Sequence, residues 1–255
     1  MKIQHNVYIT ICLLLLTSGC ATPLPEGTSP TEATWLHGFH TIPAHYTKSN
    51  SEKYWRFESN WMVQAGKEVK PGSKIPVVLY LHGCAGIKNE DLTYRNFMLE
   101  QGYAVFMPDS FARNRFECSQ QGKLWERIDM RTVEVINALK QLKKLSWVDQ
   151  DRIILMGFSE GGNTTDNWSR KVFRAHIVLG SACTQVVTGM PAAHDDVPVL
   201  AIVGEHDNYR PGLSCKITRT VGGSRSIVIL GADHWVAHYS ETQDAIKSFL
   251  VSCCK

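Results

Sequence analysis

The 255-residue chain lacks the sequence features that mark several large classes of protein. It has no block of lysine and arginine and no basic stripe interleaved with aromatic residues, and its formal net charge is only +3, so nucleic-acid binding has little support. It contains no CxxC pair, no metal-finger spacing and no HExxH sequence, which argues against a zinc protein. Its apolar run near the N-terminus is too short to span a membrane stably, and no internal repeat is present. One globular domain is therefore the simplest expectation.

The N-terminus resembles an export signal rather than part of a fold. Lys2 is followed by the apolar run YITICLLLL and by TSGCAT, which gives the basic start, short hydrophobic region and small residues of a secretory signal. TSGC also resembles a bacterial lipoprotein box with Cys20 as the lipidated residue, although Thr17 stands where such boxes usually have leucine. The alternative is an ordinary signal cleaved near Ala21. We therefore expect an exported protein, periplasmic, envelope-bound or secreted, whose membrane contact is a lipid on Cys20.

The segment after the signal has a different composition from the rest of the chain. Residues 21–33, ATPLPEGTSPTEA, contain almost nothing to bury and predict a flexible tether. The expected organisation is a signal peptide over residues 1–19, a tether and N-terminal extension over 20–50, and a single α/β domain over 51–255.

Apolar runs alternate with amphipathic segments from residue 75 onward. The runs IPVVLYLHG, YAVFMPDS, DRIILMGFS, AHIVLGSA, VPVLAIVGE and RSIVILG predict buried strands, and KYWRFESNWMV predicts an exposed or edge strand before them. Helices are predicted over NEDLTYRNFMLEQGY, over LWERIDMRTVEVINALKQLKKL, just after Ser159, and over VAHYSETQDAIKSFLVS. This alternation implies βαβ crossovers, and so an α/β fold whose mostly parallel sheet has helices on both faces.

Export would place the cysteines in an oxidising compartment, where disulfides form. Once Cys12 and Cys20 are set aside, six cysteines remain: Cys84, Cys118, Cys183, Cys215, Cys253 and Cys254. Six cysteines allow about 15 pairings, so the sequence alone does not fix them. Proximity of loops that follow neighbouring strands favours Cys84–Cys118 and Cys183–Cys215. The adjacent Cys253 and Cys254 are not expected to bond to each other.

The stretch LMGFSEGGN places Ser159 directly after a predicted strand. Ligands bind beyond the carboxyl ends of the strands in open parallel sheets, and Ser159, Asp207 and His234 all follow predicted strands. Their order along the chain, Ser then Asp then His, is that of α/β-hydrolases, and Gly157 and Gly161 suit a sharp strand-to-helix turn. The alternative is that Ser159 only caps the following helix.

Each of these residues has a chemical role in a serine hydrolase. A serine hydroxyl is a poor nucleophile unless a base accepts its proton, which His234 would do, and Asp207 would orient the imidazole. The backbone N–H groups of Glu160 and Cys84 are the predicted oxyanion donors.

The stretches VVLYLHGCAG, PDSFARNRFEC, DRIILMGFSEGG, VLAIVGEHD and GADHW together resemble the dienelactone hydrolase family of the α/β-hydrolase superfamily, over roughly residues 75–250. The resemblance implies a serine-type carboxylic-ester or lactone hydrolase that acts on small molecules without a metal or organic cofactor. Members that cleave dienelactone have cysteine at the elbow, whereas this chain has Ser159. A broader esterase is therefore favoured over a dienelactone-specific enzyme.

Several alternatives remain open from the sequence. A peptidase or amidase would use the same triad, and a non-catalytic envelope-binding lipoprotein could share the fold. Glu205 lies two residues from the predicted acid and could replace it, and His234 with His238 has the i, i+4 spacing of a zinc pair without a third ligand. Arg113 and Arg210 could bind a substrate carboxylate, and Trp235 is also expected among the substrate-binding residues.

Overall fold

The computed structural model describes residues 23–113, 123–181, 183, 191–209 and 215–254. The predicted signal peptide, Cys20, Cys118 and Arg210 lie outside these residues, so the predictions that concern them stay predictions. Among the helices within the described ranges, none combines the length and apolar character needed to cross a bilayer.

The described ranges contain eight strands in one sheet and six α-helices. The strands are β1 (Phe39–Ile42), β2 (Lys53–Arg56), β3 (Ile75–Leu81), β4 (Ala104–Met107), β5 (Val148–Phe158), β6 (Ala175–Leu179), β7 (Val199–Gly204) and β8 (Arg225–Ile229). The helices are α1 (Pro30–Leu36), α2 (Trp61–Glu68), α3 (Asn89–Glu100), α4 (Leu124–Leu142), α5 (Glu160–Asp166) and α6 (Ser240–Cys253).

The sheet is parallel except at one end. Its strand order is β2-β1-β4-β3-β5-β6-β7-β8, with β1 antiparallel to both neighbours and all later pairs parallel. Every residue of β3 is buried, as expected for a strand covered on both faces. The predicted α/β class with a mostly parallel sheet is confirmed.

Two apolar cores cover the two faces of the sheet. One contains side chains of α3 and α6, including Phe97 and Phe249, and the other contains side chains of α2 and α4, including Trp61 and Leu142. On α4, Ile128 and Leu142 lie three to four turns apart on the same side of the helix, and both side chains are buried. The helices therefore lie on both faces, as the alternation of segments predicted.

The N-terminal boundary predicted from composition is wrong. Residues 30–36 form α1, and β1 lies inside the sheet between β2 and β4, so the fold begins well before residue 51. Ser29 and Glu32 form a capping box: the Glu32 N–H donates to the Ser29 hydroxyl at 3.2 Å, and the Ser29 N–H donates to the Glu32 carboxylate at 3.4 Å. This segment is polar in composition, yet it forms a helix whose Trp35 side chain is buried.

The predicted strand KYWRFESNWMV is only partly correct. The strand ends at Arg56, and α2 begins at Trp61. Trp61 and Ala65 are one helical turn apart and both are buried, so this apolar spacing belongs to a helix rather than to a continuing strand.

The cysteine predictions have mixed outcomes. Cys183 and Cys215 form a disulfide, with their Cα atoms 4.9 Å apart, as the sequence favoured. Cys253 and Cys254 are also joined by a disulfide, so the expectation that they would not bond is wrong. The chain leaves the helical conformation at Cys254 (φ −129°, ψ 16°), directly after α6 ends, so the two side chains are no longer held at helical spacing.

Candidate active site

Ser159 occupies a strained turn between β5 and α5. Its φ is 55° and its ψ is −114°, in a region that residues other than glycine rarely adopt and that costs about 1–3 kcal/mol. The Ser159 N–H donates to the Leu179 carbonyl, and the Asn163 N–H donates to the Ser159 carbonyl, both at 2.8 Å. Within the described part of the chain the hydroxyl makes no capping bond to α5, and φ is not that of an N-cap. The capping alternative therefore has no support in the geometry.

The turn at Ser159 requires glycine at Gly157 and Gly161, because a side chain at either position would collide with neighbouring backbone. A Cβ atom on Gly157 would collide with the carbonyl group of Gly161. A Cβ atom on Gly161 would collide with the Leu81 carbonyl at the end of β3. The spacing of the two glycines therefore reflects the close packing of α5 against the ends of β3 and β5.

His234 and Asp207 form a hydrogen-bonded pair. His234 Nδ1 lies 2.7 Å from Asp207 Oδ2, and the carboxylate is fully buried. Because a carboxylate only accepts, Nδ1 carries the proton and Nε2 of a neutral ring is an acceptor. The second carboxylate oxygen accepts the Tyr209 N–H at 2.9 Å. The alternative acid, Glu205, instead accepts the Gly231 N–H at 2.8 Å.

The aromatic side chains around His234 restrict its ring. The ring centroids of Phe158 and Tyr209 lie 4.7 Å and 4.8 Å from that of His234. A Cβ atom on Gly204 would collide with the Asp233 carbonyl, so the end of β7 touches the loop that carries the histidine. This close approach brings the two loops into hydrogen-bonding range.

A cavity of about 810 Å³ opens at the carboxyl edge of the sheet, within the range expected for small-molecule sites. Its lining residues are Gly83, Cys84, Ala85, Gly86, Lys88, Leu124, Arg127, Phe158, Ser159, Glu160, Asn163, Gly180, Tyr209, His234 and Trp235. Ser159 and His234, together with the residues of both predicted oxyanion donors, therefore line one cavity. Trp235 lines it as predicted and stacks on Phe158 with ring centroids 4.3 Å apart.

The prediction that Arg113 binds substrate is corrected by its surroundings. Its Nε lies 3.4 Å from Glu134 Oε1 and its Nη1 donates to the Thr31 hydroxyl at 3.1 Å, and it does not line the cavity. Among the residues that the structure describes, the cationic side chains lining the cavity are Lys88 and Arg127, neither of which was predicted as a site residue. Arg127 lies on a predicted helix rather than in a strand-end loop, so its position in the sequence gives no signal of an active-site role.

His234 and His238, considered as a possible zinc pair, do not lie on one helix face. His238 is exposed at the end of a short 3-10 turn, Val236–His238, that begins after His234. In the described ranges, the one group of three possible metal ligands is Asp166, Cys183 and Cys215. Both sulfur atoms of that group belong to a disulfide, so neither is a thiolate ligand.

The buried histidine His82 shapes the loop after β3. The Ser110 N–H donates to His82 Nε2 at 3.1 Å, so Nδ1 carries the ring proton and donates to the Gly83 carbonyl at 2.6 Å. These bonds fix the start of the loop that contains Cys84. The sequence gives no signal for this role beyond the position of His82 at a strand end.

The model of the dienelactone hydrolase family matches residues 62–225 of this chain. Est1E from Butyrivibrio proteoclasticus is similar in structure with a TM-score of 0.52 and 16% identity, over 71% of this chain and 89% of that one. Esterase PE8 is similar with a TM-score of 0.51 and 18% identity, over 71% of this chain and 94% of that one. These likenesses establish the α/β-hydrolase fold.

Proposed function

This chain belongs to the dienelactone hydrolase family, and we propose that it hydrolyses carboxylic esters or lactones of small molecules through an acyl-enzyme formed on Ser159. The observation that supports this most is the bond of 2.7 Å between His234 Nδ1 and Asp207 Oδ2 at a cavity that Ser159 also lines. A base oriented by a buried carboxylate, beside a serine on a strained turn, suits acyl transfer.

In the first step, the Ser159 oxygen attacks the ester carbonyl carbon while His234 Nε2 accepts the hydroxyl proton. The buried Asp207 carboxylate stabilises the imidazolium that forms. The carbonyl oxygen becomes an oxyanion, for which the backbone N–H groups of Glu160 and Cys84 are the proposed donors. Each such donor typically contributes about 3 kcal/mol of transition-state stabilisation.

In the second step, the carbon–oxygen bond to the leaving alcohol breaks, and His234 returns its proton to that oxygen. Water then enters, and His234 accepts a proton from it as the hydroxide oxygen attacks the acyl carbon. The bond to Ser159 breaks, the serine recovers its proton, and the carboxylic acid leaves. In a lactone, the alcohol and the acid belong to one product molecule.

Turnover of chromogenic substrates tests this proposal. We expect p-nitrophenyl acetate and butyrate to be hydrolysed faster than the matching p-nitroanilides, and Ser159→Ala to lower kcat about 10⁴-fold or more. Ser252→Ala, at an exposed serine of α6, is the matched control and should keep wild-type turnover. Since one structure of Est1E holds ferulic acid, hydroxycinnamoyl esters belong in the panel.

Two results would favour the alternatives. Faster cleavage of anilides than of esters would indicate an amidase or peptidase on the same residues. Folded wild-type protein without turnover of any ester, lactone or anilide would favour the non-catalytic binding protein.

We also propose, from the N-terminal sequence alone, that the protein is exported and carries a lipid on Cys20. Metabolic labelling with a palmitate analogue should modify the wild-type chain, and Cys20→Ala should abolish the label. A wild-type chain that is processed near Ala21 and stays unlabelled would support the ordinary signal peptide instead.

A further inference from the structure

Arg131 is a buried cation at the centre of α4, on the side of the helix that faces the candidate active site. Its side chain is only 1% exposed. Burying a guanidinium is costly unless neighbouring groups compensate its charge, so its partners are informative. Its Nη1 lies 3.4 Å from Glu160 Oε1 and also 3.4 Å from His82 Nδ1. This nitrogen atom therefore lies beside two segments at the carboxyl edge of the sheet, as the ion-pair partner of Glu160 and next to a ring nitrogen of His82 that is itself a donor.

The first of these segments is the start of α5. Glu160 directly follows Ser159, and its carboxylate is 3% exposed. Arg127, one turn before Arg131 on α4, places its Nε 2.6 Å from Glu160 Oε2. Both guanidinium groups thus hold the same carboxylate, one at each oxygen. Because Glu160 is the proposed source of an oxyanion donor, a fixed side chain at this residue also restrains its peptide N–H.

The second segment is the loop after β3. His82 connects the Gly83 carbonyl to the Ser110 N–H through its two ring nitrogens, which requires the neutral ring with the proton on Nδ1. Because Nδ1 of this ring and the Arg131 guanidinium are both donors, their approach forms no hydrogen bond to the loop that carries Cys84. The attractive contact of Arg131 at this edge is therefore the one with Glu160.

We propose that Arg131 is a positioning residue that, through its ion pair with Glu160, holds the oxyanion donor at the start of α5 in place. The inference rests on the proposed function. A misplacement of a donor by about 1 Å can cost 10²-fold in rate. The ion pair from α4 fixes the start of α5 without touching the substrate.

The test uses Arg131→Met, which keeps the length of the side chain and removes its charge. With p-nitrophenyl butyrate, we expect kcat to fall about 100-fold and KM to change by less than about threefold, because the loss concerns the transition state. The affinity for an alkylboronic acid, whose serine adduct is tetrahedral, should fall by a similar factor.

Two further variants separate positioning from general packing. Glu160→Gln removes the charge that Arg131 contacts, and we expect the loss in the double variant with Arg131→Met to be smaller than the product of the single losses. Arg131→Lys restores a positive charge and should recover part of kcat. If Arg131→Met does not fold, the Arg131→Lys and Glu160→Gln variants decide the question.

The matched control is Arg219→Met. The Arg219 guanidinium is also largely buried and donates to the carbonyls of Ala193 and His194 at 2.7 Å and 2.9 Å, away from the cavity. This variant should lose thermal stability while kcat stays within about twofold of wild type. If kcat fell as much in Arg219→Met as in Arg131→Met, the loss of any buried arginine would lower kcat, and the effect would not be specific to Arg131.

The outcomes distinguish this inference from the proposed function. Wild-type protein without ester turnover would refute the proposed function, and the inference with it. Active wild-type protein with a normal kcat in folded Arg131→Met would overturn the inference alone. A loss confined to KM would do the same.

Discussion

His176 offers a prediction about acid stability that can be worked out from its surroundings. It lies on β6 with 1% of its surface exposed. Neither ring nitrogen has a hydrogen-bond partner among the described residues. Burial, and secondarily the nearby Arg219 charge, lowers the pKa of His176 from 6.5 to about 3.

The direction of the effect follows from comparing the two states. Below pH 6.5 the unfolded chain binds a proton on His176 that the folded chain does not bind until about pH 3. The stability that this residue contributes is therefore complete above pH 6.5 and is lost as the pH falls. The free energy of unfolding should decrease by about 1.4 kcal/mol per pH unit, or about 2 kcal/mol between pH 6.5 and pH 5. His40, whose pKa burial also lowers to about 3, should add a similar slope.

Urea unfolding of wild type and His176→Leu at pH 8 and pH 5 measures this contribution. Leucine fills the apolar site without a titratable group, so the difference between the two pH values should shrink by about 2 kcal/mol. His238→Leu, at an exposed histidine, is the control and should keep the wild-type pH dependence. An unchanged pH dependence in His176→Leu would refute the reasoning.

Three further changes test the packing, the buried charge and the disulfide. Gly161→Ala should lower the free energy of unfolding by about 3 kcal/mol and reduce kcat, because the new Cβ would collide with the end of β3. The control Gly66→Ala, at a position with open space around it, should be neutral or slightly stabilising in thermal melts. Equal melting temperatures for the two variants would contradict the close packing at Gly161. Burial raises the pKa of Asp91 from 3.8 to about 6, so this residue's contribution is complete below pH 4 and is lost as pH rises to 6. Asp91→Asn should remove about 3 kcal/mol of that pH dependence in urea unfolding, and a variant with the wild-type slope would argue against a buried charge. Replacing Cys183 and Cys215 by alanine should cost about 3–4 kcal/mol in denaturant unfolding, since the bond closes a loop with a sequence separation of 32, and an unchanged midpoint would show that the disulfide does not form.

The candidate active-site edge could be predicted from the sequence because its signals are local. Ser159 follows a buried run and lies between glycines, and His234 and Asp207 follow later runs in the expected order. Strand ends meet at one edge of a parallel sheet, so chain order was enough to place these residues near one another. The sequence favoured Asp207 and left Glu205 as an alternative, and in the structure His234 Nδ1 bonds to Asp207 whereas Glu205 accepts the Gly231 N–H.

The parts that the sequence did not reveal depend on contacts between distant segments. Arg127 and Arg131 resemble solvated charges on an amphipathic helix, and only the packing of α4 against α5 shows that they contact Glu160. The N-terminal helix is short and polar, so its composition predicts a tether, whereas the capping box of Ser29 and Glu32 indicates a helix start. Arg113 follows the predicted strand end, but its guanidinium pairs with Glu134 of α4 and does not line the cavity.

The central claim is that Ser159 is a nucleophile activated by His234. Labelling with an active-site-directed fluorophosphonate, followed by peptide mass spectrometry, tests it most directly. The account predicts one adduct, on Ser159, that is absent in Ser159→Ala and forms about 100-fold more slowly in His234→Ala. An adduct on another residue, or equal labelling in Ser159→Ala, would contradict it.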